Sequence, residues 1–362
     1  MLPVRHTAHG ILRQPGRNPG HFWRLAALLL TALLLAGCAA KRVDYVEPPA
    51  EIYSYAGEIR EDNFTNPDGL NIFGRYWFPT TQPRAVLVLV HGTTMHSGLY
   101  DEMGRYLASK GYVIYGIDLQ GWGRSDGIGA RGDVYNHDKY VTDVGIIIDR
   151  MRADYPGLPI FGFGESLGGM VCLVGQVQRR TFFDGLVLSA PAYKPNIRLP
   201  MGVHMPEILN NWGISLAGWG TSKFPRLPVL SSNLGLRYIV KDKVLREQLL
   251  DDPYVSHNWL PGRYISSIAE SAKYLRNRIE VVNVPIYILH GEKDQLVPVE
   301  SSKEIIHRAV SRDRRIKIYK GMAHAAFMQK ERYEAMIDIG KWLDDRTAPR
   351  LPDPLTGLVP QQ

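Results

Sequence analysis

The sequence has few features that would cross-link the chain or carry it across a membrane. Only two of its 362 residues are cysteine, Cys38 and Cys172, and they do not form a CxxC pair. A disulfide scaffold is therefore excluded, and a structural zinc site is not indicated. The apolar run at residues 25–36 is shorter than the roughly 20 residues that a membrane-spanning helix needs. With 45% hydrophobic and 22% charged residues, the composition is that of a globular protein.

The excess of positive charge lies mainly at the N-terminus. The formal net charge is +7, but the first 37 residues contain four arginines and no acidic residue. Without those arginines the rest of the chain carries +3 and has no basic block. Binding to nucleic acid is therefore not expected. The sequence also has no P-loop and no HExxH motif, so it indicates no cofactor and no metal.

The N-terminal segment has the order of a secretory signal: a basic region, a short apolar run and then small residues. The junction Leu35-Ala36-Gly37-Cys38 resembles the bacterial lipoprotein signal. This resemblance implies a signal peptide over residues 1–37, acylation of Cys38 and a tether over residues 38–50. By the same resemblance, Ala39 after the cysteine implies that the protein is anchored in the outer membrane and faces the periplasm. The alternative is a plain signal peptide with an incidental cysteine.

The remaining chain alternates aliphatic runs with amphipathic stretches. Residues 85–90 form a continuous aliphatic run, which is typical of a strand buried on both faces. Similar runs begin at Tyr112, Pro159, Gly185, Pro285 and Ile316, with helical periodicity at residues 99–110, 140–154, 167–179, 301–309 and 331–345. This alternation predicts an α/β fold, with a mostly parallel central sheet and helices on both faces. Residues 52–78 predict an antiparallel hairpin at the sheet edge.

The regular pattern fails between residues 193 and 279. This stretch has scattered aromatic residues and helix-length pieces but no aliphatic strand run. Such an insertion predicts a helical cap over a site, within a domain spanning residues 51–346. We expect its apolar side chains either to line a pocket or to pack on the core: Ile208, Leu209, Trp212, Ile214, Leu216 and Trp219. The proline-rich tail at residues 347–362 is predicted to be disordered.

Two serines occupy a G-x-S-x-G pattern. Ser166 follows an aliphatic strand and precedes a helix that starts with small residues. This is the strand–turn–helix context of a nucleophile elbow. Ser125 lies among Gly, Asp and Arg with no helix behind it. Ser166 is therefore the predicted nucleophile, and Ser125 is interpreted as a loop residue.

A serine nucleophile needs a histidine base and a carboxylate that orients it. His324 lies on a loop between a predicted strand and the last helix, and Asp294 follows a strand and a tight turn. Ser166, Asp294 and His324 thus occur in the chain order of an α/β-hydrolase triad. Glu292 is the alternative carboxylate. His91, at a strand end, is interpreted as stabilising a turn.

The reaction also requires hydrogen-bond donors for an oxyanion. One predicted donor is the backbone N–H of Leu167, directly after the nucleophile. The other is the backbone N–H of Thr93, in the loop that follows the strand at residues 85–90.

Several motifs resemble those of the monoacylglycerol lipase/lysophospholipase group of α/β-hydrolases, which includes serine aminopeptidase S33-type enzymes. They are HGTTMHSGLY (91–100), DLQGWGRS (118–125), GESLGG (164–169), SAP (189–191) and HGEKD (290–294). The resemblance covers residues 71 to 343. It implies the triad and oxyanion hole named above, without a cofactor. Glu165 and Leu167 depart from the family, which often has His and Met there.

The resemblance implies a membrane-anchored serine hydrolase that cleaves lipid-like carboxylic esters, of the monoacylglycerol or lysophospholipid type, through an acyl-enzyme. One alternative keeps the triad but makes the protein an acyltransferase or thioesterase of envelope lipid metabolism. A further alternative is a lipoprotein that binds acyl ligands without turning them over. The sequence leaves the acyl length, the head group and the oligomeric state open.

Overall fold

The computed structural model describes residues 47–129, 131–134, 136–195, 224–231, 236, 238–329 and 331–347. Contacts divide the chain into two units, and the described residues all lie in the second, Val46–Gln362. The predicted signal peptide, Cys38 and most of the tether lie outside the described residues, as do residues 348–362 of the tail. No helix in the described ranges is long and apolar enough to cross a membrane.

An eight-stranded sheet forms the centre of the second unit, in the order β1-β2-β4-β3-β5-β6-β9-β10. Six neighbouring strands are parallel: β4, β3, β5, β6, β9 and β10. At one edge of the sheet β2 pairs antiparallel with β4, and β1 pairs antiparallel with β2. Their bounds are β1 Ile59–Thr65, β2 Asn71–Trp77, β3 Ala85–Val90, β4 Tyr112–Ile117, β5 Ile160–Glu165, β6 Gly185–Ser189, β9 Ile286–Gly291 and β10 Arg314–Tyr319. The predicted mostly parallel α/β fold is thus confirmed.

Helices cover both faces of this sheet, as the continuous apolar strands require. One hydrophobic core contains residues of the helices at 138–154 and 167–178, and the other contains residues of the helices at 101–109 and 332–347. The helices are α1 Ala50–Ser54, α2 Asp101–Ser109, α3 Asp138–Asp154, α4 Leu167–Gln178, α5 Lys243–Asp251, α6 Gly262–Arg276, α7 Val299–Arg308 and α8 Arg332–Thr347. Short 3₁₀ helices span Ser97–Tyr100, Ile279–Val281 and Ala326–Met328.

Two predicted boundaries were wrong. The helix expected from residue 99 begins as a 3₁₀ turn, because the His96 Nδ1 accepts a hydrogen bond from the Gly98 N–H at 3.1 Å and starts the turn earlier. The predicted hairpin over residues 52–78 is shorter. Ile52 lies in α1, where it is buried, and the turn is built on Asn66, whose Oδ1 accepts the N–H groups of Asp68 and Leu70 at 3.0 Å.

The inserted region contains a short antiparallel pair, β7 Pro228–Ser231 and β8 Trp259–Pro261, although the sequence predicted no strand there. The two strands are only 4 and 3 residues long and carry proline at one end. They pair with each other outside the central sheet. Because they are not buried between two layers of helices, they lack the aliphatic run by which a strand is detected in the sequence. The six apolar side chains at positions 208–219 that were expected to line a pocket lie outside the described residues.

Candidate active site

Ser166 lies in a sharp turn between β5 and α4. Its φ of 52° and ψ of −108° are rare for a residue other than glycine. The strained turn is held by backbone bonds on both sides: the Ser166 N–H donates to the Ser189 carbonyl at 2.8 Å, and the Ala192 N–H donates to the Ser166 carbonyl at 2.9 Å. This turn therefore presents the Ser166 hydroxyl at the carboxyl end of the sheet.

The glycines at 164 and 168 allow this turn because backbone passes close to both. A Cβ on Gly164 would lie 2.5 Å from the backbone of Gly168. A Cβ on Gly168 would lie 2.0 Å from the Val90 carbonyl oxygen, on the neighbouring strand β3. Neither contact is possible for a larger residue without moving backbone, so the spacing of the motif follows from the packing.

Three loops bring Ser166, His324 and Asp294 together. The His324 Nε2 lies 2.8 Å from the Ser166 Oγ, and the His324 Nδ1 lies 2.7 Å from the Asp294 Oδ2. The side chain of Asp294 is fully buried, and that of His324 is nearly so. These distances are those of strong hydrogen bonds from a hydroxyl to an imidazole to a carboxylate.

The backbone of its own loop also fixes Asp294. Its Oδ1 accepts the N–H groups of Leu296 at 2.8 Å and Val297 at 3.0 Å. The Oδ2 faces a second imidazole, that of His290, whose Nε2 lies 3.2 Å away. The carboxylate is therefore oriented on one side by backbone donors and on the other by two histidines.

Charge and burial compete at this pair. Burial alone would raise the pKa of Asp294, but the imidazoles of His324 and His290 outweigh it and hold that pKa well below its usual range. Burial alone would lower the pKa of His324, but the Asp294 carboxylate outweighs it and raises that pKa above its ordinary value of 6.5. Asp294 is thus ionised at neutral pH and stabilises the imidazolium form of His324.

The loop after β3 lies against the elbow. A Cβ on Gly92 would be 3.5 Å from the Glu165 carbonyl oxygen and 3.6 Å from the Ser166 Cβ. The backbone directly before Thr93 therefore passes close to the nucleophile. The side chain of Thr93 contacts the inserted region, since its Oγ1 lies 2.5 Å from the Tyr264 hydroxyl. Leu167 is the first residue of α4, where backbone N–H groups lack intrahelical partners.

The sequence alternatives have other environments. The Ser125 hydroxyl donates to the Asp118 carbonyl at 2.5 Å and accepts the Phe73 N–H at 2.8 Å, which ties a loop to β2. The His91 Nδ1 lies 2.7 Å from the Gly92 carbonyl, its Nε2 accepts the Leu119 N–H, and burial lowers its pKa to about 4. Glu292 accepts the Gly321 N–H at 3.0 Å. None of the three contacts Ser166 or His324 in these bonds.

Some residues of the site were not predicted. The sequence places His290 at a strand end, as the structure does, but gives no sign that its Nε2 contacts Asp294 at 3.2 Å. Tyr264 lies in the inserted region, where the sequence has no regular pattern. For Tyr100 the sequence gives no indication of a role beyond its place in a motif. Glu165 departs from the residue common in the family, and this departure is the signal in the sequence that points to it. No group of three His, Cys, Asp or Glu side chains in the described part of the chain is placed to hold a metal.

The model of the serine aminopeptidase S33 family matches residues 81–331. The chain belongs to this family. Its fold and its relatives make it an α/β-hydrolase of the carboxylic ester hydrolase class.

The relatives include several lipases. A monoacylglycerol lipase of Mycolicibacterium smegmatis is 27% identical over 284 residues, which span 78% of this chain and 96% of the relative. A human monoglyceride lipase is 28% identical over 291 residues, spanning 79% of this chain and 91% of the relative. A solved monoglyceride lipase variant from Saccharomyces cerevisiae matches with a TM-score of 0.69 and 22% identity, over 84% of this chain and 100% of that one.

Proposed function

We propose that this family member is a lipid-anchored serine esterase that cleaves single-acyl lipid esters, of the monoacylglycerol or lysophospholipid type, through an acyl-enzyme. The observation that carries the proposal is the chain of hydrogen bonds from Ser166 through His324 to Asp294, at 2.8 Å and 2.7 Å. Three residues far apart in sequence meet there in the order that activates a serine hydroxyl.

In this mechanism the Ser166 Oγ attacks the ester carbonyl while its proton passes to the His324 Nε2. The resulting imidazolium gives that proton to the leaving alcohol, and an acyl group remains on Ser166. Water then attacks the acyl-enzyme with His324 as the base, which releases the fatty acid and restores the serine. Asp294 keeps the His324 Nδ1 protonated and stabilises the imidazolium, without itself taking the proton.

The negative charge that develops on the carbonyl oxygen needs two donors. We assign the backbone N–H groups of Leu167 and Thr93 to this role. Leu167 starts a helix whose N-terminal dipole also favours an anion. Each such donor typically contributes about 3–4 kcal/mol to transition-state stabilisation.

The relatives support the substrate class. Proteins named as monoacylglycerol or monoglyceride lipases align over more than nine-tenths of their own length. An aminopeptidase, the activity in the family's description, would act on a free N-terminus instead, and a thioesterase or acyltransferase would share the triad. Turnover of esters without turnover of aminoacyl anilides separates the esterase from the aminopeptidase.

The test is hydrolysis of 2-monooleoylglycerol, lysophosphatidylcholine and p-nitrophenyl esters, with labelling by a fluorophosphonate probe. Ser166→Ala should lower ester hydrolysis by about 10⁴-fold or more and abolish labelling. Ser54→Ala, an exposed serine in α1, is the matched control and should leave both unchanged. Cleavage of aminoacyl p-nitroanilides without any ester turnover would contradict the proposal, as would full labelling of Ser166→Ala.

The anchor is tested separately. A chain acylated at Cys38 should incorporate labelled palmitate and partition with the membrane fraction, whereas Cys38→Ser should do neither. One acyl chain gives only marginal binding and several chains give a stable anchor. Recovery of the wild-type protein as an unacylated soluble form, cleaved elsewhere in the N-terminal segment, would contradict this part of the proposal.

A further inference from the structure

A second carboxyl group lies directly behind the nucleophile and takes no part in the triad. Glu165 precedes Ser166 and is only 1% exposed. Its Oε2 accepts a hydrogen bond from the Tyr100 hydroxyl at 2.6 Å, and its Oε1 accepts one from the Ser189 hydroxyl at 3.3 Å. A buried carboxyl group is costly unless it is hydrogen-bonded. Its position beside the elbow therefore calls for a physical reason.

The hydrogen bonds lead from Glu165 to the loop that carries Thr93. The Tyr100 hydroxyl donates to Glu165 and accepts the N–H of Gly92, the residue before Thr93, at the long distance of 3.4 Å. Hydrogen bonds of catalytic sites without substrate are often long and shorten in the transition-state complex. Tyr100 thereby joins the carboxyl group at the elbow to the backbone of the opposite loop.

Packing leaves the Tyr100 ring little freedom. Its centroid lies 5.9 Å from that of Phe163 in β5 and 5.9 Å from that of Phe327, which follows His324 by three residues. Tyr100 itself is fully buried. The ring therefore contacts the strand that leads to Ser166 and the segment that follows His324, while its hydroxyl reaches the loop of Thr93.

We infer that Glu165 is a positioning residue, which acts through Tyr100 to set the distance between the Thr93 N–H and the Ser166 Oγ. The inference rests on the proposed esterase function. The carboxylate fixes the direction of the Tyr100 hydroxyl, the hydroxyl fixes the Gly92 N–H, and the peptide that follows presents the N–H of Thr93. The consequence is a better-placed oxyanion donor, so the effect belongs to the transition state more than to substrate binding.

The charge of Glu165 has a second effect, on His324. Burial raises the pKa of Glu165, while the hydrogen bond from Tyr100 and the charge of His324 lower it in part. In turn Glu165 adds to the effect of Asp294 and raises the pKa of His324. Replacing Glu165 by a neutral residue should therefore shift the acidic limb of the pH profile to lower pH.

The experiment compares Tyr100→Phe and Glu165→Gln with a matched control, Tyr112→Phe. The Tyr112 hydroxyl is also hydrogen-bonded to a carboxylate, that of Asp344 at 2.8 Å, but Tyr112 lies at the opposite end of β4 from the site. We expect Tyr100→Phe to lower kcat/KM for a p-nitrophenyl ester by about tenfold or more, with KM nearly unchanged. Inhibition by a trifluoromethyl ketone, whose adduct carries an oxyanion, should weaken in parallel. Tyr112→Phe should change neither constant.

Two further measurements distinguish a positioning role of Glu165 from general structural support. If Glu165 and Tyr100 act through the same series of hydrogen bonds, the variant with both substitutions should lose about as much activity as one single variant. Glu165→Gln should lower the apparent pKa of the acidic limb, which a change in packing alone would not do. If Glu165→Gln does not fold, Tyr100→Phe still decides the inference. Wild-type kcat/KM and ketone inhibition in folded Tyr100→Phe would overturn it, whereas a wild-type protein without any esterase activity would instead refute the proposed function.

Discussion

The imidazole of His290 lies on the buried side of Asp294, with its Nε2 3.2 Å from the same carboxylate oxygen that the His324 Nδ1 approaches at 2.7 Å. The His290 Nε2 also lies 3.0 Å from the Val297 carbonyl, so it faces two acceptors and must carry a proton. The His290 Nδ1 lies 2.7 Å from the Ser302 Oγ on the other side of the ring. His290 is thus placed to orient Asp294 through its Nε2–H.

His290→Phe keeps a ring in the site but removes the donor to Asp294. Hydrogen bonds to charged groups contribute about 1.5–3 kcal/mol, so we expect kcat to fall by tenfold or more on this basis. Ser302→Ala, which only removes the partner on the far side of the ring, should have a smaller effect. The measurement is steady-state ester hydrolysis, with circular dichroism as the check on folding. Unchanged kcat in His290→Phe would show that backbone donors alone orient Asp294.

The pH dependence of activity follows from the raised pKa of His324. The base must be neutral to accept the Ser166 proton, so kcat/KM should fall as pH drops through an apparent pKa above 6.5. Asp294→Asn removes the main cause of the shift and should cost about 10⁴-fold in kcat. A pH–rate profile whose acidic limb lies below the ordinary histidine pKa would contradict this prediction.

The same shift predicts a stability change of definite sign. Because folding raises the pKa of His324, its protonated form stabilises the folded state fully below pH about 6.5, and this contribution is lost as pH rises through the folded pKa. His324→Gln should therefore lose more unfolding free energy at pH 6 than at pH 9. Urea denaturation at the two values measures this difference, and an equal or reversed difference would refute it.

The contact between the inserted region and the loop of Thr93 can be tested by removing one hydroxyl group. Tyr264→Phe removes the partner 2.5 Å from the Thr93 Oγ1. A neutral hydrogen bond contributes about 1 kcal/mol, which corresponds to a roughly fivefold loss in kcat/KM. Tyr140→Phe is the control, because its hydroxyl accepts the Trp122 indole N–H at 2.9 Å and does not contact Thr93. Equal losses in both variants would assign the effect to general packing instead of the bond with Thr93.

Cys172 offers a probe of opening of the core. It is fully buried in α4, and burial raises the pKa of its thiol well above the ordinary value. Thiolates react and buried neutral thiols do not, so a Cys38→Ser chain should resist maleimide until it unfolds. The labelling rate should rise with urea along the unfolding transition. Rapid labelling in native buffer would show that the core opens locally.

The sequence predicted those features of the fold and the site that depend on neighbouring residues in the chain. Residues 85–90 and the glycines at 164 and 168 predicted a buried strand and an elbow, because both depend on side-chain size and periodicity. The partners of Glu165 and Tyr264 were not predictable in this way. They are separated in sequence by 65 and 171 residues from the side chains that they contact. Such contacts depend on how loops meet after folding, which no local pattern records.

The inserted region is bonded to each of the two loops that face Ser166. The Ser256 N–H donates to the Thr94 carbonyl at 3.0 Å, and the Ala325 N–H, next to His324, donates to the Ile239 carbonyl at 3.2 Å. A chimera that grafts this insertion from a relative would consequently exchange parts of the scaffold that hold the chemical groups. Engineering a new acyl preference in this enzyme is therefore best attempted by point replacements that leave positions 239, 256 and 264 intact.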